Sequence, residues 1–300
     1  MKDPRERLAG DGSGYPGTPA ATLRTERGTP YLREPGVQLL ARPAVSLEGL
    51  RAFLDGFDPG LRFAEYVEDT TPMPPGAMLC KVAGQLCYAS FGPRRTYNRD
   101  ADRYFDNIKQ SGHGSVLEHA CYSLLLYGIS RSVTHELVRH RAGFGFSQLS
   151  QRYVSGRILR FVERPEFAED PALHARFVER IDRAAADYAA VADALIERQR
   201  SGEALLSAEA RTDLRKKVQQ AARALLPNEA EAPIVVTGNA RAWRHFLEMR
   251  ASPHAEIEIR ALAFAVYAVL VTTDGILFGD YSPVTLPDGT LALEAEHRKV

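Results

Sequence analysis

The sequence predicts an α/β or α+β domain, a central mixed or antiparallel sheet flanked by long helices with a helical insert at about 170–225. Short apolar or β-branched runs, VQLLA from Val37, HACYSLLLY from His119 to Tyr127 and Ile234 to Thr237, are scattered among stretches of helical period. Leu173, Phe177, Ile181, Tyr188, Val191 and Leu195 recur at the spacing of one long amphipathic helix. The 300 residues are 45% hydrophobic, enough to give one large domain a substantial core.

Residues 1–36 are rich in Gly, Pro, Thr and charge, with no apolar period, and are expected to form a mobile arm before a domain spanning 37–280. A helix is expected from Ser46, a good N-cap, to Phe57, and a loop at Pro72, Pro74 and Pro75. Ala77 to Ser90 has helical spacing, with Cys80, Ala83 and Cys87 on one face. Tyr104, Phe105 and Ile108 mark a helix that stops at Ser111-Gly112. Ser130 or Ser132 can cap the helix that carries THELVRHR. Ser201-Gly202 breaks the long helix, and Ser207 can cap a partner carrying Leu214, Val218, Ala222 and Leu225. Asn239 caps ARAWRHFLEMR, which Ser252-Pro253 interrupts, and a last long helix runs from His254 to Val271. The tail from 281 to 300 is polar, with a possible hairpin at Pro287-Asp288-Gly289.

Lys and Arg together number 38, as do Asp and Glu, so bulk charge does not suit a nucleic-acid coat. The longest apolar run, Ala261 to Val271, is too short to span a bilayer. The start has no apolar core of a secretion signal, and three cysteines without ligand spacing fit buried thiols in a reducing cytoplasm.

The densest chemistry lies between Glu136 and Tyr153 (ELVRHRAGFGFSQLSQRY). Arg139-His140-Arg141 ends a helix and enters a Gly-Phe loop, and Ser147, Gln148, Ser150 and Arg152 follow. Arginine's planar fork suits phosphate; the plain alternative is a positive helix end complementing the macrodipole. His135-Glu136 does not begin a zinc motif, because the next histidine, His140, is five residues away and about 140° round the helix. In SGHGSVLEHA a turn can expose His113, Ser115 and Glu118 to a cleft, although Glu118 and His119 could equally serve local backbone. Tyr88, at a helix end, could stack on a planar ligand or lie in the core. Asn239-Ala240-Arg241 at a helix start offers free N–H groups to a phosphate or carbonyl, and His245 and Arg250 follow on the same helix. Arg223 falls in an i+4 stripe with Arg211, Arg215 and Gln219 that by itself reads as a solvated face. No GxGxxG, Walker or GxSxG loop is present.

Together, and in this order, the motifs resemble the flavin-dependent thymidylate synthases: RHR, a spacer, then Ser with a nearby Arg-Tyr; HGSVLEH upstream; ARALLPN and VVTGNARAWRHFLEMRASPHAEIEIR downstream. The likeness runs from about Val37 to Leu270. The spacer Ala142 to Leu149 is eight residues where the family has seven, and the extra residue is expected within Ala142–Gly145, where glycines absorb it.

The resemblance implies that family's fold and a homotetramer with active sites at subunit interfaces. It implies bound FAD, NADPH as reductant, methylenetetrahydrofolate as one-carbon donor, and dUMP as the acceptor converted to dTMP. By position, Ser115, Arg139, His140, Arg141 and Gln148 would contact FAD, with Asn239, Ala240, Arg241 and His245. Glu136, Leu137, Val138 and Arg139 would surround dUMP with Gln148, Leu149, Ser150, Gln151, Arg152, Arg223 and Arg250. His113 and Tyr88 would lie near the flavin and folate face. Arg250 is the expected catalytic residue, stabilising charge on the pyrimidine as its N–H ionises; Ser150 is a ligand contact, not a nucleophile, and no cysteine lies in a site motif. From the charge balance and the short apolar run, neither nucleic acid nor membrane is expected as a partner. The alternative is a catalytically inactive relative that binds nucleotide or flavin; the retained Arg250, Arg139 and Ser150 argue against it.

Overall fold

The computed structural model describes residues 3–10, 14–200 and 208–298. In chain order the strands and helices are β1 (Gly17–Thr18), β2 (Leu23–Arg24), β3 (Pro30–Leu32), β4 (Gly36–Ala41), α1 (Leu47–Leu54), α2 (Pro75–Leu86) and α3 (Ala101–Gln110). Next come β5 (Cys121–Tyr127), α4 (Arg131–Leu137), β6 (Phe144–Gln148), β7 (Phe161–Val162), α5 (Pro165–Ala168), α6 (Pro171–Arg200) and α7 (Ala208–Ala222). The chain finishes with β8 (Ile234–Asn239), α8 (Ala240–Arg250), α9 (Ile257–Thr273), α10 (Gly275–Phe278), β9 (Tyr281–Thr285) and β10 (Leu291–Ala295).

The main sheet has the order β1-β4-β5-β8-β6, antiparallel throughout. Alternation decides its faces: Tyr122, Leu124, Leu126, Ile234 and Val236 point into the core with Val37 and Leu39. On the opposite face the Ser123 and Thr237 hydroxyls pair at 2.8 Å. The core-facing side is covered by α9, buried from Glu258 to Leu270, the all-round burial its apolar composition requires. No described helix is long and apolar enough to cross a membrane.

Four parts depart from the sequence reading. The expected mobile arm carries β1, β2 and β3: Gly17 and Thr18 pair with Gln38 and Val37, and Tyr31 and Leu32 are buried beside Phe161 and Val162 of β7. Such two- and three-residue strands have no period of their own; the partner strand creates them. Side-chain ties then fasten this stretch to the residue after β7 and to α6, Arg33 to Glu163 at 2.7 Å and Thr25 to Asp182 at 2.7 Å.

The tail closes as the hairpin β9–β10 about Pro287–Gly289, as expected, but it is not merely polar: it buries Ala292 and Leu293 against the molecule. The Gly-Phe stretch after RHR is not a loop but the edge strand β6. Of the insert, Phe177, Ile181 and Tyr188 are buried as expected, whereas Leu173, Val191 and Leu225 are exposed. The expected break at Ser201-Gly202 and cap at Ser207 lie outside the described residues.

Candidate active site

Ser130 caps α4 by accepting the Val133 N–H, and its own N–H and hydroxyl donate to buried Glu258 of α9 at 2.7 and 2.8 Å. These bonds set α4 against the core, so its last turn delivers Glu136 to a fixed place. The chain turns at Val138, so Arg139-His140-Arg141 follows the helix instead of ending it. Gly143 then adopts φ 75°, and a Cβ there would come within 2.9 Å of both Ala242 Cβ and Asn239 Nδ2. Only glycine meets both demands in the longer spacer.

Arg250, at the end of α8, reaches back to this turn. Its Nε donates to His140 Nε2 at 3.0 Å, its Nη1 to Glu136 Oε2 at 2.7 Å, and its Nη2 to the Glu136 carbonyl at 3.4 Å. Both side chains of the ion pair keep some solvent contact, 22% for Arg250 and 37% for Glu136. As a stability element the pair is therefore worth only ~1 kcal/mol or less; what it fixes is direction.

The His140 ring is buried edge-on against Phe246, His245 and Phe144, with centroids 5.4, 5.6 and 6.3 Å away. Because Nε2 accepts from Arg250, the neutral ring carries its proton on Nδ1. Burial, followed by the charges of Arg250 and His245, lowers its pKa to about 4.

A second group gathers at the start of α8. Asn239 caps it by accepting the Ala242 N–H at 2.8 Å, and the Ala240 N–H donates to the Ala120 carbonyl at 2.7 Å. With two first-turn N–H groups engaged, the helix start offers an anion less than the sequence suggested. Arg241 pairs with Glu118 at 2.6 Å, joining α8 to the HGSVLEH turn. Ser115, His113 and Tyr88 line a cavity of about 310 Å³ together with Gln85 and Tyr104; Tyr88 is 79% exposed, not core.

A third group lies beyond the other end of β6. Along that strand Phe144 pairs with Gly238 and Gln148 with Ile234, a separation of about 13 Å at the usual rise. The Ser150 hydroxyl accepts the Arg152 N–H at 3.3 Å. With its amide oxygen turned toward Arg152, Gln220 of α7 accepts from Arg152 Nη2 at 3.1 Å and Nε at 3.0 Å. Arg223 follows one turn later, half-buried. Lys216 lies over the Tyr153 ring, 5.0 Å from its centroid.

The expected site residues therefore fall into a clamp, a helix start with its neighbouring cavity, and a distal cationic group. Among the described residues, Arg139, Arg141 and Arg223 have no carboxylate partner. Leu137 and Ala240 are buried in the core, so any ligand contact there runs through backbone. Gln148 and Leu149 are half-buried on and just beyond β6, and Gln151 is buried.

Sequence reasoning missed Gln220 as the holder of Arg152; its position four residues after Lys216 and three before Arg223 was the available signal. It also misplaced two cysteines. Cys80 is buried, with its thiol pushed up to about 12 by burial, but Cys87 and Cys121 are exposed. Cys87 lines the Tyr88 cavity, and Cys121 sits opposite Asn239 across the ladder.

Comparison with known proteins identifies the family. The family model described as "Thymidylate synthase complementing protein" matches residues 69–273. The chain is 44% identical over 225 residues to the "Flavin-dependent thymidylate synthase" of Mycolicibacterium gilvum, covering 75% of this chain and 87% of that one. Identity is 46% over 219 residues to the protein of that name in Mycolicibacterium vanbaalenii, covering 72% and 83%. For that of Mycobacterium tuberculosis it is 44% over 222 residues, covering 74% and 86%.

Proposed function

The chain belongs to the flavin-dependent thymidylate synthase family, and from that premise we propose that it methylates dUMP reductively to dTMP. The carbon comes from methylenetetrahydrofolate, the reducing equivalents come from NADPH, and FAD is the bound flavin. The observation that carries the reading is the clamp on Arg250, in which a carboxylate, a carbonyl and a neutral imidazole hold one guanidinium in a single plane.

The residues present suit an anionic dinucleotide at the turn after α4. Arg139 and Arg141 are exposed and lack carboxylate partners among the described residues, so their charge remains available to a diphosphate. Gly143 lets that stretch of backbone lie tight against Asn239 and Ala242, joining the turn to the start of α8. Ser115, Gln148 and His245 would contribute polar contacts from neighbouring elements. When bound, FAD supplies the two-electron chemistry that no side chain offers.

The protein's own part is position and charge. Carbon 5 of the uracil ring becomes nucleophilic as negative charge grows on the ring, and a fixed cation favours that charge. Arg250 serves this role, since its plane is set before substrate arrives. Arg152 and Arg223 would neutralise the phosphate, and Ser150 would donate a hydroxyl to the nucleotide. Their separation from Arg250 along β6 supports a homotetramer in which one subunit's distal group completes another subunit's clamp. The neutral overall charge supports an enzyme that acts on free nucleotide and not on nucleic acid, and we place it in the cytoplasm.

The test is direct. The purified protein should show an oxidised-flavin absorption spectrum and form dTMP from dUMP only with NADPH and methylenetetrahydrofolate present. A colourless protein that cannot be reconstituted with FAD would sink the reading.

A further inference from the structure

We propose that His140 is a positioning residue that acts through Nε2, aiming the Arg250 guanidinium; the inference rests on the dUMP-methylating reading above. Rotation about the arginine Cδ–Nε bond sets the plane of the guanidinium. Only an acceptor on Nε–H fixes that rotation close to its axis, and here the acceptor is His140 Nε2 at 3.0 Å.

The two Glu136 contacts cannot do this alone. The carboxylate is more exposed, at 37%, and an arriving anion competes with it for the same nitrogen. The carbonyl contact is long, at 3.4 Å. The imidazole is held by Phe246 and His245 from α8 and by Phe144 from β6, so it cannot swing away. It is also neutral. A neutral acceptor orients Arg250 without quenching the charge that the pyrimidine needs, whereas a second carboxylate would weaken it. Small errors of aim are costly in such a site.

The two ring nitrogens give a test that separates aim from packing. Glutamine places an acceptor near the reach of Nε2, asparagine near the reach of Nδ1, and phenylalanine fills the enclosure with neither. In the flavin-loaded protein, His140→Gln should keep kcat within several-fold of the original. His140→Asn and His140→Phe should lower kcat by about 100-fold, with the KM for dUMP and the flavin spectrum little changed. Melting temperatures identify any variant whose enclosure has collapsed; the phenylalanine variant is the least exposed to that fate.

If asparagine rescues and glutamine does not, Nδ1 is the working atom and the role is overturned. Equal kcat in all three variants, or loss of flavin from the glutamine variant, overturns it as well. An unsubstituted protein that makes no dTMP overturns the reading itself, and this role with it. An active one with indifferent variants overturns the role alone.

Discussion

The two ends of β6 handle arginine in opposite ways. At the α4–α8 end, Arg250 is engaged through three of its nitrogens by partners on two elements, and its imidazole neighbour is sealed among aromatic rings. At the other end, Arg152 is exposed and meets the neutral amide of Gln220 and the face of the Tyr153 ring, while neither it nor Arg223 has a carboxylate partner among the described residues. A cation fixed in advance suits chemistry, because it loses no time or free energy reorganising as charge develops. A cation left adaptable suits capture of a phosphate, whose charge attracts it from a distance. On the proposed function, the contrast divides the enzyme into an end that reacts and an end that binds.

The largest effect should come from breaking the fixed end. Arg250→Ala should lower kcat by at least about 10²–10³-fold, the scale for losing a preorganised charge donor, while the flavin absorbance of the purified protein stays near stoichiometric. Arg250→Lys should be almost as severe, because a point charge cannot make the same planar set of contacts. If the alanine variant emerges without flavin, Arg250 belongs to cofactor binding and the division is misdrawn.

The adaptable end should fail differently. Arg223→Ala and Arg152→Ala should each raise the KM for dUMP by roughly 10- to 100-fold, the value of a charge-assisted hydrogen bond to phosphate, with kcat nearly unchanged. Raising the salt concentration should mimic them in the unsubstituted protein. At dUMP well below the raised KM, mixing an Arg250→Ala protein with an Arg223→Ala protein and allowing subunits to exchange should restore activity if the two ends of different subunits build one site. A kcat defect in the Arg223 variant would erase the distinction between the ends.

Acid should also act mainly on the fixed end. The pKa of His140 is about 4 in the fold against an ordinary 6.5, so between these values the unfolded chain binds the extra proton. Its contribution is complete above about pH 6.5 and is lost as pH falls toward 4, to a limit of about 3 kcal/mol. Asp274 works in reverse, since burial pushes its carboxyl up to about 6 and the fold gains relative to the unfolded chain as that group takes up its proton. The informative quantity is thus a difference. The stability gap between the original protein and His140→Phe, followed by chemical denaturation, should change steadily from pH 6.5 to 4 and be flat above. A gap independent of pH would mean that the imidazole is not held neutral by its enclosure.

How much of this was legible beforehand follows from the range of each interaction. Caps such as Ser130 and Asn239 act within three residues, and the helices they start were readable. The fastening of Arg250 joins residues 110 and 114 positions apart, so the motif named the residues but not their bonds. The FGFSQ strand escaped notice because five residues with only two apolar side chains, Phe144 and Phe146 on either side of a glycine, are too short a pattern to read as a strand until β8 lies beside them. The arm's strands escaped for the same reason: their edges exist only where β4 and β7 provide them.

The smallest expected effect sharpens the comparison most cheaply. Cys121 faces solvent opposite Asn239, and Cys87 lines the Tyr88 cavity, so two thiols stand nearer the ligand region than their sequence context suggested. If uracil were activated by thiolate attack, one of them would be indispensable and Arg250 merely supportive. If activation is electrostatic, Cys87→Ala, Cys121→Ala and the double variant should all keep kcat within several-fold, with any loss appearing as altered ligand affinity. The buried Cys80, its thiol held protonated up to about 12, offers no nucleophile in their place. Full turnover in the double variant would therefore leave the charge on Arg250 as the activating group, whereas collapse of kcat in one single variant would move the chemistry off the clamp and onto that sulfur.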